Sequence, residues 1–163
     1  MSVLIFIDHS EGHIKKASLE ALSYGSKIAA QMGIDAEGIV LGAVTDDLTA
    51  LGQYGIKKIH HIADQQLNHV DARVFTGVIT QAIQATGATI VVFANNVDGK
   101  AIAPRLSARL KAALVSGAVA LPDTTNGFVV KKSVFSGKAF ALVALNTGIK
   151  IITLNPNSFP AAA

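Results

Sequence analysis

Short apolar runs that alternate with helical patterns constrain the fold of this chain more than any other feature of its sequence. Such runs are typical of strands buried on both faces of a parallel sheet, and none approaches the roughly 18 uninterrupted apolar residues of a membrane span. They predict strands at residues 3–7, 39–44, 89–94 and 115–121, and a less apolar segment predicts another at 58–62. Strands separated by helices indicate a mainly parallel sheet with helices on both faces.

Apolar residues that recur at steps of three and four predict the intervening helices. These helices are expected at residues 15–32, 48–54 and 100–112, and between Asp71 and Gly87. Gly33 and Gly87 predict helix ends, because glycine readily adopts the left-handed conformation that closes a helix. Asp71 is a candidate N-cap, and Gly25 on an inward helix face predicts close packing on the sheet. Pro104 must lie in the first turn of its helix or kink it.

The pattern changes after Pro122, where three further strands follow without room for helices between them. They are predicted at residues 128–135, 138–145 and 149–154. Ser136-Gly137 fits a tight hairpin turn, and residues 146–148 fit a slightly longer one. The sequence therefore predicts a single three-layer α/β domain with an antiparallel C-terminal strand extension.

Composition excludes several classes of protein. Half of the residues are apolar, 15% are charged and the mean hydropathy is +0.44, a combination that intrinsically disordered chains do not have. Because there is no cysteine, a disulfide, a thiol nucleophile and a cysteine-ligated metal are excluded. Asp8, Glu11 and Lys15 follow the first apolar run too closely for a signal peptide. We therefore predict a cytoplasmic domain without a membrane span.

The two parts of the chain differ in charge. Residues 1–98 carry six Lys/Arg and ten Asp/Glu, whereas residues 99–163 carry eight Lys/Arg and a single acid, Asp123. Such asymmetry can indicate an anionic partner. The basic residues are scattered singly or in pairs and have no interleaved aromatics, so a solvated basic surface is favoured over nucleic-acid binding.

Two polar loops are the candidate ligand site. In open parallel sheets, ligands bind beyond the carboxyl ends of the strands, where the strand order reverses. The loops at residues 8–12 (Asp-His-Ser-Glu-Gly) and 95–99 (Asn-Asn-Val-Asp-Gly) follow the first and fourth predicted strands. Asp98 and Gly99 precede a predicted helix N-terminus, which can hold an anion through free backbone N–H groups. The alternative is a pair of ordinary polar loops with a helix cap at Asp98.

The sequence predicts no catalytic or metal-binding residue. Residues 8–10 (Asp-His-Ser) have the side chains of a catalytic triad, but neighbouring side chains point in different directions and cannot form the required relay. His9 and His13 are four residues apart without an obvious third ligand. His60 and His61 alternate across a strand, which favours one inward and one exposed side chain over a metal site. Neither a GxGxxG motif nor a Walker A loop is present.

Six short motifs occur in order along nearly the whole chain. They are Ile7-Asp8-His9 with Gly12, Leu19-Glu20-Ala21-Leu22 with Ala29, Tyr54-Gly55-Ile56-Lys57-Lys58, Pro104-Arg105-Leu106 with Ala108 and Leu110, Phe135-Ser136-Gly137 with Ala139, and residues 153–159 (Thr-Leu-Asn-Pro-Asn-Ser-Phe). Together they resemble the N-terminal domain of the electron-transfer flavoprotein alpha subunit. Each motif also has a structural explanation: Gly55 can end a short helix, and Phe159 can pack back onto the sheet.

The resemblance implies a scaffold domain at residues 1–160, with a three-layer fold of the adenine-nucleotide alpha-hydrolase-like type. It implies a heterodimer with the beta subunit, and FAD held by a C-terminal domain that is absent from this chain. The whole protein would take electrons from dehydrogenases and pass them to a quinone oxidoreductase. No residue of this chain would then be catalytic, cofactor-binding or metal-binding. Arg105, Arg109 and Lys138 would be surface residues able to contact the beta subunit or the missing domain.

The chain also departs from this family, and other functions remain open. Lys138 stands where the family often has Asn, Asn155 where it often has Arg, and residues 95–97 are poorer in Gly, Ser and Thr. The alternative function is a stand-alone AMP- or ATP-binding module of the universal-stress type, although a glycine-rich loop after the fourth strand is missing. An ATP-pyrophosphatase-type enzyme would need a Ser-Gly-Gly loop in place of residues 8–12.

Overall fold

Eight strands form one sheet in the computed structural model, which describes residues 1–162. The strands are β1 (Ser2–Phe6), β2 (Asp35–Leu41), β3 (Lys58–Ile62), β4 (Ala88–Ala94), β5 (Ala113–Ala118), β6 (Val129–Val134), β7 (Ala139–Ala144) and β8 (Lys150–Leu154). Across the sheet their order is β3-β2-β1-β4-β8-β5-β6-β7. All pairs from β3 to β5 are parallel, and β6 and β7 add an antiparallel hairpin at one end. The predicted fold class is confirmed.

Three α-helices cover the sheet: α1 (Lys16–Met32), α2 (Ala72–Thr86) and α3 (Val97–Leu110). Shorter 3-10 segments lie at Leu48–Tyr54, Gln65–Leu67 and Phe135–Gly137. The predicted caps are confirmed: Gly33 and Gly87 end α1 and α2 in the left-handed conformation. The Asp71 side chain accepts hydrogen bonds from the backbone N–H groups at the start of α2, which satisfies donors that a helix end leaves free.

Helices on opposite faces of the sheet divide the core into two parts. Val3 and Ile5 of β1 pack with α1, whereas Leu4 and Phe6 face the other way and pack with α2 and α3. This alternation follows from the period of two in a strand. Gly25 brings α1 close to β1, since a Cβ atom there would lie 2.5 Å from Cγ1 of Ile5. The predicted role of Gly25 is confirmed.

The last strand corrects the sequence prediction. Residues 149–154 were expected to extend an antiparallel segment, but β8 lies between β4 and β5 and is parallel to both. The expected turn at residues 146–148 therefore carries the chain from the edge of the sheet back to its centre. The physical reason is burial, because Ile151, Ile152 and Leu154 are each at most 2% exposed. A strand that is apolar on both faces is most stable with neighbours on both edges.

Several element bounds also differ from the predicted ones. The strand expected at 39–44 runs from Asp35 to Leu41, because its pairing with β1 starts where Asp35 lies opposite Ser2. The strand expected at 115–121 ends at Ala118, where Gly117 has a φ of 84° and the pairing with β8 shifts register. Helix α3 begins at Val97 instead of residue 100, so Pro104 lies in the helix interior.

Among residues 1–162, no helix combines the length and the apolar character needed to cross a bilayer.

Candidate functional site

The strand order reverses between β1 and β4, and the two predicted polar loops meet there. Asp8 follows β1 and is only 4% exposed. Its Oδ2 atom accepts a hydrogen bond of 2.9 Å from Nδ2 of Asn96, which follows β4. The prediction that these loops lie together at the carboxyl edge of the sheet is confirmed, since parallel strands end at the same edge.

A lysine links the two loops electrostatically. Nζ of Lys15 lies 3.2 Å from Oδ2 of Asp8 and 3.4 Å from Oδ2 of Asp98. We call these four residues, Asp8, Lys15, Asn96 and Asp98, the switch-point cluster. It contains two carboxyl groups and one ammonium group, and every polar side chain in it contacts another member.

Local hydrogen bonds fix Asp8 against the start of α1. The backbone N–H of Asp8 donates to Oγ of Ser18 at 2.7 Å, and that hydroxyl donates to the carbonyl oxygen of Asp8. Lys15 precedes α1 with an extended backbone and donates its N–H to the same carbonyl. These hydrogen bonds hold the end of β1 against the start of α1.

The second loop is fixed by a side-chain cap. Oδ1 of Asn96 accepts from the backbone N–H of Gly99 at 3.0 Å, so Asn96 is the N-cap of α3. The interpretation of Asp98 as the cap is wrong, because Asp98 lies in the first turn, where its charge is favourable at the positive end of the helix dipole. One of the N–H groups that would hold an anion is already occupied by Asn96.

Burial and charge together shift the titration of the cluster. Burial raises the pKa of Asp8 above its ordinary value, the neighbouring Asp98 raises it further, and Lys15 opposes the shift in part. Partial burial disfavours the charged form of Lys15, but the carboxyl groups of Asp8 and Asp98 outweigh it and raise the pKa of that lysine. Ionisation of the Asp8 carboxyl group in this buried position, beside a second carboxyl group, therefore costs free energy in the folded protein.

Asp8→Asn should remove a pH-dependent loss of stability. Because the pKa of Asp8 is higher in the folded than in the unfolded state, the folded protein retains the proton as pH rises above the ordinary value of 3.8. The free energy of unfolding then falls across that window. We expect the difference in unfolding free energy, variant minus wild type, to increase as the pH rises above 3.8, measured by urea denaturation. A difference that stays constant or decreases would contradict the raised pKa.

The predicted histidines do not converge on one ligand. Nε2 of His9 donates to the carbonyl oxygen of Leu41 at 2.7 Å, whereas Nδ1 of His13 lies 3.0 Å from Oδ1 of Asp46. His60 and His61 likewise bind separate acceptors. Within residues 1–162, no group of three or more His, Asp and Glu side chains is placed to hold a metal ion. That no residue of the chain is catalytic or metal-binding stays a prediction.

The histidines of β3 alternate as predicted. His60 is half-buried and its Nε2 donates to Oε1 of Glu37 at 3.0 Å. His61 is exposed and its Nε2 donates to the carbonyl oxygen of Gly42 at 2.7 Å. Both bonds tie the edge strand β3 to β2, which explains the two residues structurally.

A cleft of about 610 Å³ opens beside the switch-point cluster, between the loop at residues 9–12 and the segment at residues 68–70. Lys15 is the one lysine or arginine among the described residues of its wall, and it is paired with Asp8 and Asp98. Asp98 and Glu11 are the acids on the wall, which also holds His9 and His69. A phosphate group entering it would meet uncompensated negative charge. That this chain has no cofactor-binding residue stays a prediction.

The sheet order and the helices on both faces define a doubly wound α/β domain with a polar, ion-paired switch point. The chain belongs to the electron transfer flavoprotein domain family, whose model matches residues 3–163.

Similar proteins agree with this assignment. The chain is 27% identical to the electron transfer flavoprotein subunit alpha of Bacillus subtilis over 98% of its own length, and 29% identical to that of Mycobacterium tuberculosis over 98%. It is 26% identical over 98% to subunit LctC of the lactate dehydrogenase (NAD(+),ferredoxin) of Acetobacterium woodii. The chain spans 49%, 48% and 39% of those three proteins, about half of their length or less. The resemblance to the alpha subunit's N-terminal domain is confirmed.

The motifs that carried the resemblance have structural roles in this chain. Gly55 ends the 3-10 segment with a φ of 88°. Phe159 packs edge-on against Tyr24 of α1, with ring centroids 5.5 Å apart. Lys15, the residue that joins the two loops, was missed as a site residue. A signal for it existed, because a lysine at the positive end of a helix dipole is unfavourable unless a carboxylate lies nearby.

Proposed function

We propose that this chain is the N-terminal scaffold domain of an electron-transfer flavoprotein alpha subunit. It packs on the beta subunit and supports electron transfer by FAD that is held in another domain. The observation that carries this proposal is the family match over residues 3–163, together with relatives named as alpha subunits. Those relatives are about twice as long as this chain, which supports a scaffold domain and a separate FAD-binding domain in the whole protein.

The switch-point cluster supports a scaffold without a catalytic or cofactor-binding residue. Lys15 forms ion pairs with both Asp8 and Asp98, as expected for groups that hold loops in place. The same arrangement argues against the alternative of an AMP- or ATP-binding module, because Lys15, the one lysine or arginine among the described residues of the cleft wall, is already paired with two carboxylates. The whole protein would act as an electron carrier between dehydrogenases and a quinone oxidoreductase. Its cytoplasmic location stays a prediction.

The hairpin of β6 and β7 offers a surface for the beta subunit. Val130 and Val143 form a cross-strand pair that packs on the α1 side of the core. The alternating residues Phe140 and Leu142 therefore point to the opposite face, and no helix of the described chain covers them there. They are 58% and 74% exposed, and Phe135 at the turn is 81% exposed. An apolar group of this kind is typical of a protein interface.

The backbone and charges of the hairpin support the same role. Strand β7 is the last strand in the order of the described sheet, so its outer edge presents free N–H and C=O groups. Nζ of Lys131 lies 4.4 Å from the ring centroid of Phe140, so one positive charge borders the apolar group. A partner strand could pair with this edge while its apolar side chains cover Phe140 and Leu142.

Phe140→Ser combined with Leu142→Ser should weaken binding to the beta subunit by about tenfold or more, since exposed aromatic anchors dominate interface energies. The dissociation constant is measured by calorimetry with the purified beta subunit from the same source. Stability should change little, because both side chains are exposed. The control is Val97→Ser, which removes an apolar side chain that is 82% exposed outside the hairpin. Equal affinities for wild type and the double variant would exclude this surface.

A further inference from the structure

A second surface carries three arginines that have no acidic partner among residues 1–162. Helices α2 and α3 lie side by side, and a cleft of about 420 Å³ between them is lined by Arg73, Arg105 and Arg109, with Thr76 and Ala108. All ion pairs found among residues 1–162 involve other cations. We call this feature the arginine cleft.

The helices bring the three guanidinium groups to one groove. Arg73 lies one turn before Gly77 on α2, and Arg105 lies one turn before Arg109 on α3. Residues four apart share a face of a helix. Nη1 of Arg109 reaches across to α2, where it lies 3.5 Å from the position of a Cβ atom at Gly77. The positive charges therefore face one another across the groove.

Acidic residues near the cleft are few. Asp98 is the only acid within the two helices, and its carboxylate is already paired with Lys15. Asp71, the N-cap of α2, accepts hydrogen bonds from the backbone N–H groups of Arg73 and Val74. Like charges four residues apart on a helix destabilise it, so this face of the protein gains from an anionic partner.

We propose that the arginine cleft docks an acidic face of a protein partner. A guanidinium group presents a planar fork of donors that matches a carboxylate, and it is weakly hydrated, which suits an interface. The three arginines are exposed on an open groove, so they suit a protruding acidic segment better than an enclosed small anion. No aromatic residue lines the cleft, and a stacking platform for nucleic acid is therefore missing.

This inference does not rest on the proposed role in electron transfer, and it concerns a surface distinct from the hairpin of β6 and β7. The partner it implies carries at least two carboxylates spaced to reach both helices. A charged interface of this kind mainly accelerates association and depends strongly on ionic strength.

The test uses a peptide of six glutamates as the probe. Amide NMR shifts of the 163-residue chain, labelled with ¹⁵N, are followed at low salt. We expect shifts confined to α2, α3 and their caps, and an affinity that falls about tenfold in the triple variant Arg73→Gln, Arg105→Gln, Arg109→Gln. The matched control, Lys16→Gln, Lys27→Gln, Lys58→Gln, loses the same charge from exposed sites elsewhere and should keep the wild-type affinity.

Four results would overturn the proposal. They are shifts spread over the whole basic surface, an equal loss of affinity in the control variant, no binding of the peptide at low salt, and tighter binding of tripolyphosphate or duplex DNA at the cleft. The last result would assign the cleft to phosphate groups. The shift map of the wild-type chain decides the question even if the triple variant fails to fold.

Discussion

Replacing Ile152 with alanine should lower the free energy of unfolding by about 3 kcal/mol, one of the largest effects expected for this chain. Ile152 is fully buried at the centre of the sheet, paired with Val92 of β4 and Val115 of β5. The truncation leaves a cavity that neither helix layer can fill without moving the sheet. Urea denaturation at neutral pH measures the effect.

Leu142→Ala is the matched control for Ile152→Ala, and together the two variants test the position of β8, the last strand. Leu142 lies on β7 and is 74% exposed, so its truncation should change the unfolding free energy by less than about 0.5 kcal/mol. If β8 instead extended the hairpin at the edge, Ile152 would be partly exposed and the two variants would lose similar amounts. Similar losses would therefore contradict the central position of β8.

Gly99→Ala should destabilise the protein by about 3 kcal/mol, although alanine is the better helix former. Gly99 lies in the first turn of α3, and a Cβ atom there would overlap the carbonyl oxygen of Ala94 at the end of β4. Backbone atoms cannot rotate away as a flexible side chain can. The start of α3 would have to move, which disturbs the Asn96 cap and its bond to Asp8.

Gly77→Ala provides the control for helix propensity. Gly77 lies inside α2, and the nearest atom to an added Cβ is Nη1 of Arg109 at an ordinary contact distance of 3.5 Å. This substitution should therefore stabilise the protein by about 0.5–1 kcal/mol. A Gly99→Ala variant as stable as Gly77→Ala would show that α3 does not start as close to β4 as described.

Sequence patterns predict where the strands and helices of this fold lie better than they predict which strands are neighbours in the sheet. The apolar runs of β1 and β4 predict buried strands because both faces of each strand pack against helices. The run of β8 has the same character, but its partners depend on contacts with residues about 35 to 60 positions earlier in the chain. Local spacing contains no information about such pairing, so the short connection after β7 suggested a hairpin.

The sequence predicts where the candidate site lies, but it does not predict the contacts within it. Polar residues after two strands correctly indicated that loops 8–12 and 95–99 meet. The structure adds that Lys15 joins the two loops and that Asn96, not Asp98, caps α3. These contacts depend on the angles at which two loops leave the sheet, which no single-residue preference determines.

The most direct test of the central claim is a titration of FAD into this 163-residue chain, followed by flavin fluorescence and visible absorbance. A scaffold domain that leaves FAD to another domain predicts no saturable change at micromolar flavin, with the chain shown to be folded by circular dichroism. Stoichiometric binding with a micromolar dissociation constant would contradict the account, because the flavin site would then lie within these residues.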